Sequence, residues 1–109
     1  MEVKTPKEFL EKVLPAKFDP SKAAGFEAVI QMNIAGSDGG DWIVTIRDQK
    51  MQVKEGIQAS PTITIKMSDK DFVDLVNGKL AAVKAFMTGR LEFRGSIAVG
   101  MKLMETGFM

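Results

Sequence analysis

The apolar positions of this chain pass from a helical period to a period of two and back, twice, and that alternation lays out its elements. Thr5, Pro6 and Glu8 predict a helix start: Thr5 suits the cap, Pro6 the first helical position, and Glu8 the place from which an acid reaches back to a free N–H. Phe9, Leu10, Val13 and Leu14 follow at spacings that share one side, and Pro15 is expected to end the helix. Asp19, Pro20 and Ser21 predict a turn with a short helical turn before Gly25. From Phe26 the period becomes two, with Phe26, Ala28, Ile30, Met32 and Ile34 on one face and Glu27, Val29, Gln31 and Asn33 on the other.

Gly36, Ser37, Asp38, Gly39 and Gly40 predict a hairpin connection, after which Trp42, Val44 and Ile46 alternate with Ile43, Thr45 and Arg47. A shorter strand around Met51 and Val53 completes a meander. Beyond the loop from Glu55 to Pro61, the alternation of Ile63, Ile65 and Met67 predicts a fourth strand.

The stretch from Pro61 to Met104 then reads strand, helix, helix, strand, helix. Ser68 and Asp71 repeat the capping pattern, Phe72, Leu75 and Val76 form an inward stripe, and Gly78 closes that helix. The next helix, Leu80 to Thr88, has a wide apolar arc made by Leu80, Val83 and Met87 with Ala82 and Phe86 beside them. Gly89 ends it, Leu91 and Phe93 alternate as a fifth strand, and Ser96 opens a last helix lined by Ile97, Met101, Met104 and Phe108. The architecture expected is α+β: one domain, residues 1–109, with a five-stranded, largely antiparallel sheet and helices packed on one face.

A helix lying on a sheet needs an apolar arc of roughly 100°, and the last two helices exceed it. Four readings account for the excess: deeper burial in the core, a homodimer interface, contact with a membrane surface, or the wall of an apolar pocket. Few lysines and arginines stand opposite the apolar face, which weighs against the membrane reading. For the pocket, each buried methylene of a chain-like lipid contributes about 0.8 kcal/mol before association costs, so no charged anchor is required.

Composition narrows the chemistry. The chain has neither cysteine nor histidine, which excludes thiol nucleophiles, disulfides and thiolate metal sites, and removes the commonest general base and metal ligand. No catalytic residue, metal or cofactor is implied. Asp69, Asp71 and Asp74 are accounted for by helix capping and solvation, and the glycine-rich turn lacks the lysine of a phosphate-binding loop. With net charge +1 and interspersed signs, nothing points to nucleic acid. The N-terminal MEVKTPKEFLEK has no apolar run of a secretory signal and no stretch approaches the ~18 apolar residues of a membrane span, so the compartment expected is cytoplasmic. Eight methionines and seven phenylalanines without a tyrosine suit an adaptable apolar wall as well as a gap-filled core.

The segments TITIKMSDKDFVDLVNGKL and AFMTGRLEFRGSIAVGMKL resemble the sterol carrier protein 2 (SCP-2) domain family, in whose pattern fall Gly78, Lys79, Ala85, Phe86, Gly89, Leu91, Gly95, Met101 and Leu103. The upstream hairpin, with Trp42 leading an alternating strand, is similar too. The resemblance implies the same α+β fold and an apolar tunnel between sheet and helices for a fatty acid, fatty acyl-CoA, sterol or phospholipid. Family members that end in a peroxisomal targeting tripeptide differ from this chain, which ends Gly107, Phe108, Met109, so peroxisomal import is not expected.

On this reading the protein is a non-catalytic lipid carrier with, at most, transient membrane contact. Its wall is expected to come from Ile30, Met32, Trp42, Val44, Ile63 and Ile65 on the sheet and from Phe72, Val76, Val83, Phe86, Met87, Met101 and Met104 on the helices. The alternatives are an accessory domain of a lipid-metabolising enzyme, a small hydrolase using Ser37, Ser60 or Ser96 with a lysine base, and a homodimeric module without ligand.

Overall fold

Thr5 opens the first helix: in the computed structural model, which describes residues 2–105, its hydroxyl oxygen accepts the Glu8 N–H at 3.1 Å. The Glu8 carboxylate in turn accepts the Lys4 N–H at 2.8 Å. Helix α1 covers residues 6–17, α-helical at Pro6–Glu8 and Leu14–Lys17 and π-helical at Phe9–Val13 between them. The stop expected at Pro15 is not observed. Proline lacks an N–H and its ring crowds the carbonyl four residues back. Here the turn before it is widened, with the Leu14 N–H reaching the Phe9 carbonyl, so the ring is accommodated and the helix runs on to Lys17.

A 3₁₀ turn at Pro20–Ala23, capped by Asp19, leads into the sheet. Its strands are β1 (Ala28–Ala35), β2 (Gly40–Arg47), β3 (Lys50–Glu55), β4 (Ile63–Ser68) and β5 (Glu92–Gly95), in the order β3-β2-β1-β4-β5. Neighbours are antiparallel except β1 and β4, which run parallel. The mixed, mostly antiparallel sheet with helices on one face is the α+β architecture expected.

Alternation fixes which face is covered. Ile30 pairs with Val44 on one side and Ile63 on the other, Met32 with Trp42 and Ile65, and Ile65 with Phe93. These side chains, with Ala28, Ile34, Ile46 and Met67, form the inner face, on which the helices pack. Helix α1 crosses β3, while α2 (Asp69–Val76) lies against β1 and β4. The two helices meet at Phe9 and Phe72, edge to face with ring centroids 5.7 Å apart. Ser68 caps α2 by accepting the Asp71 N–H at 3.1 Å, and Gly78 follows it at φ +78°, a conformation that costs a residue with a Cβ. Asp69 does more than complement the dipole: its carboxylate accepts the Asp38 N–H at 3.0 Å and ties the β1–β2 turn to the start of α2.

The opposite face is roofed in part by the 56–62 loop that returns the chain from β3 to β4. Gln31, only 3% exposed, donates to the carbonyls of Trp42 at 3.2 Å and Gly56 at 3.0 Å and accepts the Gln58 N–H at 2.7 Å. A buried amide is thereby satisfied while it holds the loop. The last helices are α3 (Ala82–Met87) and α4 (Ile97–Glu105), at the β5 edge. The second of the two was expected to extend to Phe108, which lies outside the described residues.

Candidate functional site

Helix α3 is short, with an uncapped start and a closed end. Its N-terminus starts at Ala81, which offers no side-chain cap, and at its C-terminus the N–H groups of Arg90 and Leu91 both bond to the Ala85 carbonyl, at 2.8 and 3.0 Å. That closure carries the chain back beneath the helix, so Leu91 arrives on the inner side of β5. Ala85 is fully buried and seats α3, leaving Ala82, Val83 and Phe86 to one flank. Helix α4 starts where the Ser96 hydroxyl oxygen accepts the Val99 N–H at 3.4 Å. It brings Ile97, Gly100, Met101, Leu103 and Met104 to face α3.

Between them is a cleft of about 300 Å³, floored by Ile65, Leu91 and Phe93 and walled by the eight residues just named on α3 and α4. Ligand pockets run from roughly 300 to 1,000 Å³, so this one is at the small end of that range. Gly100 sets its depth. A Cβ there would stand 2.8 Å from Cζ of Phe93, so glycine lets α4 lie against that ring without displacing it. The mouth is open: Val83 is 71%, Ile97 67% and Met101 67% exposed although all three line the cleft.

The thirteen residues selected from the sequence divide between two places. Ile65, Val83, Phe86, Met101 and Met104 line the cleft. Ile30, Met32, Val44 and Ile63 of the sheet and Phe72 of α2 are fully buried in the core, and Val76 packs against that core. Trp42 is buried there too, its indole N–H donating to the Glu11 carboxylate of α1 at 3.0 Å. Met87 is turned to solvent on α3, outside the cleft. Ala82, Leu91, Phe93, Ile97, Gly100 and Leu103 complete the lining without having been selected. A signal for two of them existed: Leu91, just before β5, and Phe93 within it alternate to one side, and only the pairing of Phe93 with Ile65 was missing to put them on the floor.

Among the described residues, no ionisable or hydroxyl side chain lines the cleft, so what that lining can do is bind apolar matter. Ser96 is engaged as a helix cap, and among the described residues no lysine amine hydrogen-bonds Ser37, Ser60 or Ser96. Among the described residues, no cluster of three or more acids is arranged to hold a metal ion, and no helix is long and apolar enough to cross a membrane. Asp19, whose carboxyl is held below its ordinary range by the Ser21 hydroxyl at 2.6 Å, by the Ser21 N–H and by Lys22, belongs to the exposed turn before β1.

The pattern of the SCP-2 sterol transfer family matches residues 7–106. Hydroxysteroid dehydrogenase-like protein 2 of Rattus norvegicus is 35% identical over 78 residues, which cover 71% of this chain and 15% of that protein. The chain thus spans less than a fifth of the length of that curated relative. Palmitated SCP2L2 from Aedes aegypti superposes with a TM-score of 0.73 at 28% identity, covering 96% of this chain and 93% of the mosquito chain. The sec-alkylsulfatase Pisa1 from Pseudomonas sp. shares the fold at a TM-score of 0.79 and 21% identity, covering 97% of this chain and 16% of the enzyme.

Proposed function

The chain belongs to the SCP-2 sterol transfer family, as the pattern between Gly78 and Leu103 implied, and from that premise we propose that residues 1–109 act as one non-catalytic lipid-carrying unit. The cargo is a fatty acid or another lipid with an acyl chain, held by that chain in the cleft between α3, α4 and β5. The observation that carries this reading is the composition of the wall: among the described residues eleven line it, none with a charge or a hydroxyl, around an open volume of about 300 Å³. Apolar walls discriminate weakly between similar apolar molecules, so the shape of the floor at Phe93 and Leu91, not hydrogen bonding, would set the preference.

Native mass spectrometry of gently purified protein, followed by extraction of any bound lipid, tests the proposal together with displacement of a fluorescent fatty acid. A lipid adduct and micromolar or tighter displacement are expected. Protein that carries no lipid and leaves the fluorescent probe unbound would end the carrier reading.

One observation favours a second reading, in which the same cleft serves an attached catalytic unit. The chain corresponds to only 15% of the rat relative and 16% of the alkylsulfatase. Turnover of acyl-CoA or ester substrates by a longer protein containing this chain, with the isolated chain inert, would mark it as that protein's lipid-presenting part.

A further inference from the structure

We propose that the cleft selects medium-length acyl chains, saturating at about twelve carbons, and excludes sterols; the inference rests on the carrier reading and names the class of cargo within it. Volume is the first bound. An apolar cavity of about 150 Å³ holds benzene, so on the same scale the cleft of about 300 Å³ holds about twelve carbons. A sterol has more than twice that number, fused into a rigid nucleus that cannot bend to fit. A long acyl chain would have to leave its remaining carbons at the mouth.

The surroundings of the floor are the second bound. Residues two apart on a strand, and residues opposite one another on paired strands, share a face of the sheet. The inner-face neighbours of Ile65 are therefore Ile63 and Met67 along β4, Met32 on β1 and Phe93 on β5. Met32 and Ile63 are fully buried, Met67 is buried, and none of these three lines the cleft. Among the described residues, then, the core is filled on three sides of the floor, and a chain cannot thread onward between the sheet and α2. The cleft continues only toward Phe93 and the β5 edge, where the ring lies against Gly100. Beyond that ring the rim is Val83, Ile97 and Met101, all largely exposed, so a methylene placed there keeps one side in water and gains only part of the benefit of burial.

Affinity should accordingly rise with chain length and then break. Displacement of a fluorescent fatty acid from the full chain by octanoate, decanoate, dodecanoate, myristate and palmitate, each below its micelle concentration, reads the break. Each methylene should raise affinity about fourfold as far as dodecanoate and less than about twofold from there to palmitate. Cholesterol should leave the probe bound. Gly100→Ala, which narrows the floor, should move the break to shorter chains, and Phe93→Ala, which opens it, to longer ones. Circular dichroism and thermal melting accompany both, with Phe93→Leu as the smaller opening where Phe93→Ala does not fold. Affinity that climbs at one rate through palmitate, cholesterol that displaces the probe as well as dodecanoate does, or a break that stays at the same chain length in the folded variants would overturn the proposal. Failure of every fatty acid in the series to bind the unaltered protein strikes the carrier reading itself, and with it this one, and is distinct from each of those results.

Discussion

Gly100 and Phe93 are in contact across the floor of the cleft, and a methyl group on Gly100 would come within 2.8 Å of Cζ and 3.0 Å of Cε2 of the ring. The far end of a phenyl ring can swing aside. Both residues line the cleft, so the cost of a larger residue at position 100 falls on the cavity more than on the core.

Gly100→Ala is accordingly expected to weaken fatty-acid binding with little effect on folding. Alanine gains about 1 kcal/mol of helix propensity over glycine, which offsets the crowding at Phe93. Thermal melting and a fluorescent fatty-acid titration on the same sample check this. A variant that melts much earlier while binding as before would contradict it.

Phe86 and Phe72 should separate binding from stability. Phe86 is 54% exposed and lines the cleft, so Phe86→Asp lets the carboxylate reach water in the empty protein but sets a charge against any acyl chain. Binding is expected to be lost with the melting temperature nearly unchanged. Phe72 is fully buried against Phe9, and Phe72→Ala should cost about 3–5 kcal/mol of stability. Urea unfolding of both variants beside ligand titrations reads the two effects apart.

Trp42, the chain's one tryptophan, should be silent to cargo. It is buried between β2 and α1, bonded to Glu11, and has no place in the cleft lining. Its emission is expected to stay constant on fatty-acid addition, whereas Glu11→Ala, which strands the indole N–H, should shift it and cost about 1–3 kcal/mol. A tryptophan placed at Met101 should report the ligand instead. Emission from Trp42 that tracks ligand would relocate the binding site to the α1 side of the sheet.

Gln31→Leu tests the roof on the opposite face. The substitution preserves bulk but leaves the Gly56 carbonyl and the Gln58 N–H without their partner. A loss of about 1–3 kcal/mol is expected, with faster amide exchange concentrated in the 56–62 loop and unchanged lipid binding. Unchanged exchange in that loop would show that other contacts hold it.

The elements themselves were legible because local rules act on neighbouring residues. Thr5 with Glu8 and Ser68 with Asp71 each made the cap their spacing implies, and the period-two runs became strands with the expected residues inward. Pro15 was misread because its effect depends on the turn before it, and a π-helical turn at Phe9–Val13 has no clear mark in the sequence. The selection of cleft residues divided for a related reason. Met32, Trp42 and Val44 have the same alternation as Ile65, and nothing local distinguishes a strand position under α1 from one under α4.

The sequence by itself determined the family, the α+β architecture, the inward face of each strand and the absence of thiol and imidazole chemistry. Those follow from side-chain identity, from periodicity and from patterns within a few residues. Only the tertiary structure decided that α1 and α2 seal the greater part of the sheet, and that an open apolar cleft remains where α3 and α4 meet β5. The physical reason is that hydrophobic burial is non-directional. An apolar face carries no record of whether a helix or a ligand will cover it, and that is settled by how the chain returns on itself.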